Sequence, residues 1–262
     1  MQVKESLDYT GKVVLVTGGT KGIGATIAQS FLQAGAQVIV CGRQTPEQLP
    51  TAHDRVADFQ AVDLRDFDAL SAMFAYIAER YGRLDVVVNN AGGSPAVDAA
   101  TVSPRFSEGI IRLNLLVPLN VAQLANNLMQ QQDEGGALIF IGSVSASRPS
   151  PGTAAYGAAK AGVLSLVSSL AVEWAPKVRV VSVSPGLIKT EQSHLHYGDE
   201  AGIQAVGETI PAGRMGEPSD VAGACLFAAS PYASYWSGTN LLLHGGGEKP
   251  AFLSSSTANK AE

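Results

Sequence analysis

Short apolar runs alternate with helical stripes along the chain, and this alternation predicts the fold. The short runs are continuously apolar instead of alternating with polar residues, which is typical of strands buried on both faces of a parallel sheet. Helix-like stretches with apolar residues at helical spacing separate them, which predicts an α/β protein with a doubly wound, seven-stranded parallel sheet and helices on both faces. The predicted strands are 12–17, 36–42, 58–63, 84–92, 136–143, 178–186 and 238–246, and the predicted helices are near 23–35, 66–81, 104–131, 154–175 and 218–229.

No repeat or internal boundary divides the chain, so residues 1–262 are predicted to form a single domain. Residues 187–213 are polar and too long for an ordinary connection, and we expect a functional lid there. The end of the chain is polar and rich in small residues, so a mobile tail is expected at about 250–262.

Composition narrows the class of protein. Hydrophobic residues make up 46% and charged residues 16% of the 262 residues, enough for one sizeable core. The net charge of -5 argues against a nucleic-acid or anionic-membrane partner, and we see no apolar run of the roughly 18 residues that a spanning helix needs. Residues 1–12 lack the apolar core of a signal peptide. Cys41 and Cys225 lie in apolar contexts and are expected to be buried, reduced thiols of a cytoplasmic protein.

A glycine-rich turn, TGGTKGIG at residues 17–24, follows the first predicted strand and opens a helix. Gly18 allows a tight turn, while Gly22 and Gly24 leave room for a pyrophosphate and for close packing of helix and strand. The amino end of the helix offers N–H donors and a partial positive charge to phosphate. The strand–turn–helix context therefore favours a dinucleotide site over the alternative, a purely structural loop.

Tyr156 and Lys160, in YGAAK, lie four residues apart at the start of a predicted helix and so share one face. A cation about 4 Å from the phenol contributes roughly 4 kcal/mol at intermediate dielectric. This equals about three pKa units and would bring the phenol pKa from ~10 to near neutrality, where acid–base catalysis works best. The alternative is that the tyrosine packs and the lysine reaches solvent, since such pairs are common by chance.

Four motifs together resemble one known family. The glycine turn has the form TGxxxGxG, and it is followed by Asn89–Asn90–Ala91–Gly92, by Ser143 at the end of the fifth strand and by YGAAK. Their order and spacing, over residues 10–247, resemble the short-chain dehydrogenase/reductase family in its single-domain branch of ~250 residues. The resemblance implies a Rossmann-like fold and an NAD(P)(H)-dependent oxidoreductase. Such an enzyme interconverts a secondary alcohol and a ketone, with Tyr156 as acid and base.

The resemblance also implies roles for individual side chains. Ser143 would hold the substrate oxygen beside Tyr156, and Asn114 would fix a local helix distortion and a water relay to Lys160. Asn114 could otherwise be a helix surface position, because it lies between two leucines. The implied catalytic residues are Asn114, Ser143, Tyr156 and Lys160. The implied substrate-binding residues are Ser143, Ser145, Tyr156 and Leu187.

The end of the second strand bears on the choice of nicotinamide nucleotide. An NAD enzyme usually places a carboxylate there to hold the ribose hydroxyls, but this chain has Gly42. Lys21 and Arg43 are cations that suit a 2′-phosphate, so NADP(H) is favoured over NAD(H), the alternative being two solvated surface charges. The cofactor-binding residues implied by the resemblance are Gly18, Thr20, Lys21, Gly22, Ile23, Gly24, Arg43, Asp63, Leu64, Asn90, Ala91, Gly92, Tyr156, Lys160, Pro185, Gly186, Ile188 and Thr190.

The same residues also bear on other functions and on partners. A non-catalytic NAD(P)-binding sensor is one alternative, and a serine hydrolase is another, although Ser143 lies in IGSVS and not in a G-x-S-x-G elbow. His194 and His196 lack further ligands at metal-binding spacing, so no metal is predicted. His244 stands where the family usually has an acidic or amide residue. This difference affects the expected packing of the C-terminal segment and the expected oligomer contact there. Small residues on the 156–175 helix favour a homo-oligomer, a tetramer or a dimer, that acts on a small-molecule alcohol or carbonyl substrate.

Overall fold

A seven-stranded parallel sheet forms the centre of the computed structural model, which describes residues 7–256. The strand order is β3-β2-β1-β4-β5-β6-β7, and all neighbouring strands are parallel. This order confirms the predicted doubly wound fold. The strands are β1 (Val13–Thr17), β2 (Gln37–Gly42), β3 (Asp58–Ala61), β4 (Val86–Asn89), β5 (Gly136–Ile141), β6 (Val178–Pro185) and β7 (Asn240–Leu243).

The sheet carries one hydrophobic core on each face. Val13 and Leu15 of β1 belong to one core, and Val14 and Val16 belong to the other. Because successive side chains of a strand point to opposite faces, a strand covered on both sides must be apolar at every position. This requirement explains the continuous apolar runs of the sequence.

Helices cover both faces of the sheet. Side chains of α2, α4 and α5 pack into the core that contains Leu15, whereas α1 and α8 pack into the core that contains Val14. The helices are α1 (Gly22–Gln33), α2 (Phe67–Tyr81), α3 (Pro104–Ile111), α4 (Val117–Met129), α5 (Ala154–Glu173), α6 (His194–Tyr197), α7 (Glu200–Thr209), α8 (Pro218–Ala229) and α9 (Phe252–Ser255).

The strand order reverses next to β1, and this reversal indicates where a ligand crevice is expected. β1 pairs with β2 on one side and with β4 on the other, so the connections leave in opposite directions at their carboxyl ends. Open α/β sheets bind ligands at such a switch point. Thr17 ends β1 and Asn89 ends β4, so the glycine turn and the Asn89–Gly92 motif meet at this crevice.

Several local predictions differ from the structure. The helix predicted over 104–131 is divided by a π-helical turn at Arg112–Leu116. The predicted lid, 187–213, contains the helices α6 and α7. A small antiparallel pair of strands, Thr51–Ala52 with Arg55–Val56, was not predicted.

Cys41 and Cys225 are free and buried, as predicted. Residues 257–262 of the predicted tail lie outside the described residues, and the single domain and the function of the lid stay predictions.

α5 corrects the expectation that no segment could span a membrane by length and composition. It has 20 residues and a mean hydropathy of 1.4, so it meets both criteria. Serines and glycines interrupt its apolar run, but they do not lower its mean hydropathy below that of a helix able to span a membrane. In the fold its side chains Val163, Val167 and Leu170 are buried in a core against the sheet, and it carries the buried Lys160.

Candidate active site

The glycine turn is tied to the end of β4 by hydrogen bonds. The side-chain amide of Asn90 donates to the carbonyl oxygens of Thr17 and Gly18 at 2.9 and 3.2 Å. The hydroxyl of Thr17 accepts hydrogen bonds from the backbone N–H groups of Asn90 and Ala91 at 3.0 and 3.1 Å. Gly18 has a φ of 62°, in the left-handed region that favours glycine. The two predicted cofactor motifs therefore form one structural unit.

The amino end of α1 fits the pyrophosphate of a dinucleotide. The helix begins at Gly22, and Lys21 at its N-cap provides no side-chain hydrogen bond to the first turn. A Cβ atom at Gly24 would overlap the carbonyl oxygen of Gly18 and the amide of Asn90, so only glycine lets the helix approach this closely. The first-turn N–H groups and the helix dipole favour an anion at this position.

The end of β2 carries positive charge without a carboxylate of its own. A Cβ atom at Gly42 would meet nothing closer than Thr20 at 3.6 Å, and both Arg43 and Lys21 are exposed. Asp63 accepts two side-chain hydrogen bonds from Arg65, at 2.9 and 2.6 Å. These bonds, with a smaller contribution from Arg43, lower the pKa of Asp63 to about 2.

Two findings change the predicted adenosine end of the site. Arg65 is an additional cation that the sequence analysis missed, although its position two residues after Asp63 could have indicated the pair. Leu64 is 7% exposed and packs into a hydrophobic core, so its side chain faces the interior.

Lys160 is buried beneath Tyr156 on α5. Its side chain donates a hydrogen bond of 2.7 Å to the carbonyl oxygen of Ile141, and Nζ lies 5.6 Å from the centroid of the Tyr156 ring. Loss of hydration on burial lowers the pKa of Lys160 to about 8. The shared helix face predicted for the pair is present, and the solvent-exposed lysine of the alternative hypothesis is wrong.

The pKa of Tyr156 shifts in the opposite direction to the sequence-based expectation. Burial raises it, and the nearby hydroxyl of Ser143 lowers it in part. Burial disfavours the phenolate because the charged form loses its hydration. The four-residue spacing predicts the proximity of the lysine, but it contains no information on how deeply the phenol is buried.

Ser143 lies two residues after the end of β5, and its hydroxyl is near enough to Tyr156 to lower the pKa of the phenol. The same hydroxyl accepts a hydrogen bond of 3.1 Å from the backbone N–H of Ser145. Ser145 in turn accepts a hydrogen bond of 3.1 Å from the hydroxyl of Ser150. Two of the four predicted substrate-binding residues, Ser143 and Ser145, are therefore hydrogen-bonded to each other at the carboxyl edge of the sheet, with Tyr156 nearby.

Asn114 lies within the π-helical turn and is fully buried, so the alternative surface position is wrong. Its amide nitrogen donates to the carbonyl oxygens of Ile110 and Gly93 at 2.9 and 3.0 Å. Its amide oxygen accepts a hydrogen bond of 2.8 Å from the N–H of Gly93. A Cβ atom at Gly92 would lie 2.6 Å from this oxygen and 3.6 Å from Nζ of Lys160. Asn114 therefore holds the backbone that passes directly beside Lys160.

The chain after β6 returns to the glycine turn. Ile188 forms an isolated parallel bridge with Gly216. The side chain of Thr190 lies 4.0 Å from the Cβ position of Gly22. Glu191, which the sequence analysis did not single out, places its carboxylate oxygens 3.5 and 3.7 Å from the same position. An acidic side chain therefore lies at the amino end of α1.

A pocket of ≈ 310 Å³ lies beside Ser143, on the side of the predicted substrate residue Leu187. The sequence analysis missed Arg148 and Glu248 in its wall, and treated His244 only as a packing residue. Its lining residues are Val144, Ser147, Arg148, Gly186, Leu187, Ile210, Leu242, His244, Gly247 and Glu248. Among the described residues, no three His, Cys, Asp or Glu side chains are grouped so that they could hold a metal ion.

The fold and the site define a dinucleotide-binding α/β protein with a serine, a tyrosine and a lysine at one edge of its sheet. A family model described as Enoyl-(Acyl carrier protein) reductase matches residues 18–248. The chain is 35% identical to the 3alpha-hydroxysteroid dehydrogenase of Mediterraneibacter gnavus, over 89% of this chain and 96% of that protein. It is 32% identical to the 2-dehydro-3-deoxy-D-gluconate 5-dehydrogenase of Escherichia coli, over 93% of this chain and 98% of that protein.

Solved structures show the same likeness. The ligand-free structure of Thermoplasma acidophilum aldohexose dehydrogenase is similar with a TM-score of 0.85 and 30% identity, over 97% of this chain and 98% of that one. The chain therefore belongs to the short-chain dehydrogenase/reductase family. It is an oxidoreductase that acts on CH–OH groups with a nicotinamide dinucleotide, and the sensor and hydrolase alternatives have no support in these matches.

Proposed function

We propose that this protein is an NADP(H)-dependent oxidoreductase of a small secondary alcohol or ketone, with Tyr156 as its acid and base. One observation carries the proposal. The hydroxyl of Ser143 lies near Tyr156 and lowers the pKa of its phenol, and Lys160 is buried beneath the same ring, at the sheet edge where the glycine turn lies. A phenol between a hydroxyl and an ammonium group is a suitable proton donor to a carbonyl oxygen.

In reduction, the hydroxyl of Ser143 donates a hydrogen bond to the substrate carbonyl oxygen and Tyr156 transfers its proton to that oxygen. NADPH, held by the glycine turn and the amino end of α1, would supply the hydride. Lys160 stabilises the resulting phenolate by its positive charge, and Asn114 fixes the Gly92–Gly93 backbone beside Lys160. In oxidation of an alcohol, Tyr156 accepts the proton instead.

The raised pKa of Tyr156 means that the phenol carries its proton at neutral pH in this proposal. A phenol whose pKa lies above its ordinary value of 10.0 is protonated at neutral pH and carries the proton that reduction needs. Its action as a base in oxidation needs additional positive charge nearby, since a phenolate in a buried site is costly. We therefore expect oxidation to have the more alkaline pH optimum.

The preference for NADP(H) is supported by charge at the end of β2. Gly42 offers no carboxylate, Arg43 follows it directly, and Lys21 lies in the glycine turn, while Arg65 is already paired with Asp63. Arginine forms bidentate hydrogen bonds with phosphate, and a 2′-phosphate would add such a partner. NAD(H) remains the alternative cofactor.

We further propose a cytoplasmic homo-oligomer, a tetramer or a dimer. The support is the outer side of α5, where Ala158, Ala161, Ser165 and Ser168 are exposed and Val172 is 80% exposed. Small side chains allow a second helix to approach closely. A monomer in light scattering at micromolar concentration would contradict this part of the proposal.

The test of the proposal is NADPH oxidation with a panel of ketones, for the wild type and for Tyr156→Phe. We expect oxidation that depends on the ketone in the wild type, loss of turnover in Tyr156→Phe, and unchanged NADPH binding by fluorescence titration in both. Tyr235→Phe, at a fully exposed tyrosine, is the matched control and keeps its activity. Retained turnover in Tyr156→Phe would refute the assignment of the acid.

A further inference from the structure

We infer that Arg148 binds a carboxylate of the substrate, and that Glu248 takes the place of this carboxylate in the free enzyme. The inference rests on the proposed function and adds the chemical class of the substrate. It depends on four features of the pocket beside Ser143: its apolar body, the incomplete hydrogen bonding of Arg148, the glycines that precede Glu248, and the closeness of the lid.

The pocket has the size and lining of a site for a compact organic molecule. Its volume of ≈ 310 Å³ lies near the lower end of the range of small-molecule sites, about 300–1,000 Å³. Its lining includes Val144, the residue after Ser143, and its apolar wall is formed by Val144, Leu187, Ile210 and Leu242. A ligand with an apolar body can therefore lie between the reacting centre and the polar end of the pocket.

Arg148 is the cation of this pocket, and its hydrogen-bonding capacity is only partly used. Nη1 donates a hydrogen bond of 2.9 Å to the carbonyl oxygen of Pro149. Nε lies 2.9 Å from Oε1 of Glu248, yet this buried nitrogen makes no hydrogen bond of good geometry. A guanidinium group has five N–H donors in a planar fork that matches a carboxylate. A carboxylate in the plane of this fork would satisfy a buried donor that Glu248 leaves unsatisfied.

Glu248 is a replaceable partner because of its position in the chain. It follows Gly245, Gly246 and Gly247, which all have positive φ values of 62°, 96° and 87°. Glycine moves between backbone regions at little steric cost, so these residues can act as a hinge. The side chain of Glu248 is 51% exposed, and an ion pair with such a partner contributes little net stability.

The pair also lies against the predicted lid. Burial raises the pKa of Tyr197 in α6, while the charge of Arg148 lowers it and the charge of Glu248 raises it. Both charged groups are therefore near this phenol, and His244 lines the same pocket. The polar end of the pocket thus joins the loop after β5, the lid and the C-terminal segment, where a bound carboxylate would contact all three.

A purely structural role for the pair makes a different prediction. If Arg148 and Glu248 only tie the C-terminal segment to the loop after β5, then loss of either partner has the same effect on ligand binding. If Glu248 occupies the place of a substrate carboxylate, its neutralisation strengthens binding of an anionic ligand, whereas loss of Arg148 weakens it. The opposite signs separate the two roles.

The experiment is a calorimetric titration of the full-length protein, saturated with NADP⁺, with hexanoate and hexanamide. These probes have the same apolar body and differ in charge. We expect hexanoate to bind the wild type at least about 10-fold more tightly than hexanamide, the usual effect of a hydrogen bond to a charged group. Arg148→Met removes this difference, and Glu248→Gln binds hexanoate several-fold more tightly than the wild type does.

Arg80→Met is the matched control, because Arg80 is exposed on α2 and stacks on Tyr81. It keeps the wild-type preference for hexanoate. Equal binding of hexanoate and hexanamide by the wild type overturns the inference, as does weaker hexanoate binding by Glu248→Gln. Both results use only the wild type and Glu248→Gln, so they can be obtained even if Arg148→Met does not fold. They also leave the proposed oxidoreductase intact, since that depends on turnover and on Tyr156→Phe.

Discussion

The side-chain nitrogen of Lys160 is hydrogen-bonded to the carbonyl oxygen of Ile141, the last residue of β5, at 2.7 Å. The lysine is 4% exposed, so this carbonyl replaces only part of the hydration that an ammonium group has in water. The pKa of Lys160 falls to about 8 as a result. This geometry keeps the ammonium group close to Tyr156 but buries its charge. The buried charge should have a measurable effect on the free energy of unfolding.

We expect the free energy of unfolding to rise with pH between about 8 and 10.5 because of Lys160. Its folded-state pKa of about 8 lies below the ordinary value of 10.5, so the unfolded chain binds more protons in this window. The full gain is of the order of 3 kcal/mol. Urea unfolding of the wild type and Lys160→Met at pH 7 to 10.5 measures it, because other titrating groups cancel in the difference. A difference that does not change with pH contradicts the buried charge.

Asn114 is expected to be a positioning residue that supports both the fold and the site. Asn114→Leu keeps the approximate size of the side chain but removes three hydrogen bonds to Gly93 and Ile110. Buried groups left without partners cost about 1–3 kcal/mol each, so the loss of three bonds should destabilise the protein by at least about 3 kcal/mol in urea unfolding. Activity should fall as well, with kcat more affected than KM.

The control for Asn114 is Asn127→Leu, at an exposed position on α4. A surface substitution of this kind changes stability by less than about 0.5 kcal/mol. If Asn114→Leu unfolds no more easily than Asn127→Leu, the hydrogen bonds of the π-helical turn do not support the structure as described. Rescue of activity by Asn114→Asp, which keeps the acceptor for Gly93, would separate positioning from simple packing.

The sequence predicts the sheet well because the signal is local. Each strand is buried on both faces, so its apolar run is continuous and can be recognised without knowledge of its neighbours. The lid helices escaped prediction because few of their residues are buried: α7 buries only Ile203 and Gly207, and α6 buries none. The π-helical turn has no periodic signal either, and only the family resemblance pointed to a distortion at Asn114.

The residues of the site also differ in whether their contacts are local in sequence. Tyr156 and Lys160 are four apart on one helix, so their proximity follows from helix geometry. Arg148 and Glu248 are brought together from distant parts of the chain, as are Glu191 and Gly22. No local pattern predicts such contacts. The direction of the Tyr156 pKa shift likewise depends on burial by residues distant in sequence.

Glu191 is expected to weaken cofactor binding. Its carboxylate lies 3.5 Å from the Cβ position of Gly22, at the end of α1 where a pyrophosphate is expected. The helix dipole attracts a carboxylate to this position, which then repels a phosphate. Glu191→Gln should therefore lower the Kd for NADP⁺ about 3- to 10-fold in a fluorescence titration, an effect of roughly 1 kcal/mol.

The matched control for Glu191 is Glu208→Gln, an exposed glutamate near the end of α7. It removes the same charge from the protein at a position outside the glycine turn. If both variants bind NADP⁺ equally, the effect comes from net charge and not from the place of Glu191. The difference should also shrink at high salt, because exposed charges are screened.

Gly42 is expected to decide between the two nicotinamide nucleotides. NADP⁺ should raise the Tm of the wild type more than NAD⁺ does. Gly42→Asp places a carboxylate at the end of β2, where the nearest atoms to a Cβ, on Thr20, are 3.6 Å away, so the side chain fits without overlap. The carboxylate repels a 2′-phosphate and accepts hydrogen bonds from ribose hydroxyls. We therefore expect the ratio of the Kd values for NADP⁺ and NAD⁺ to rise at least about 10-fold, a change of ~1.4 kcal/mol.

Gly42→Asn is the control for this substitution, because it has the same size and no charge. It should change the ratio much less than Gly42→Asp, since only the aspartate adds a charge that repels phosphate. Equal changes in both variants would assign the effect to the size of the side chain. Equal stabilisation of the wild type by NADP⁺ and NAD⁺ would show that Lys21 and Arg43 do not select the phosphate.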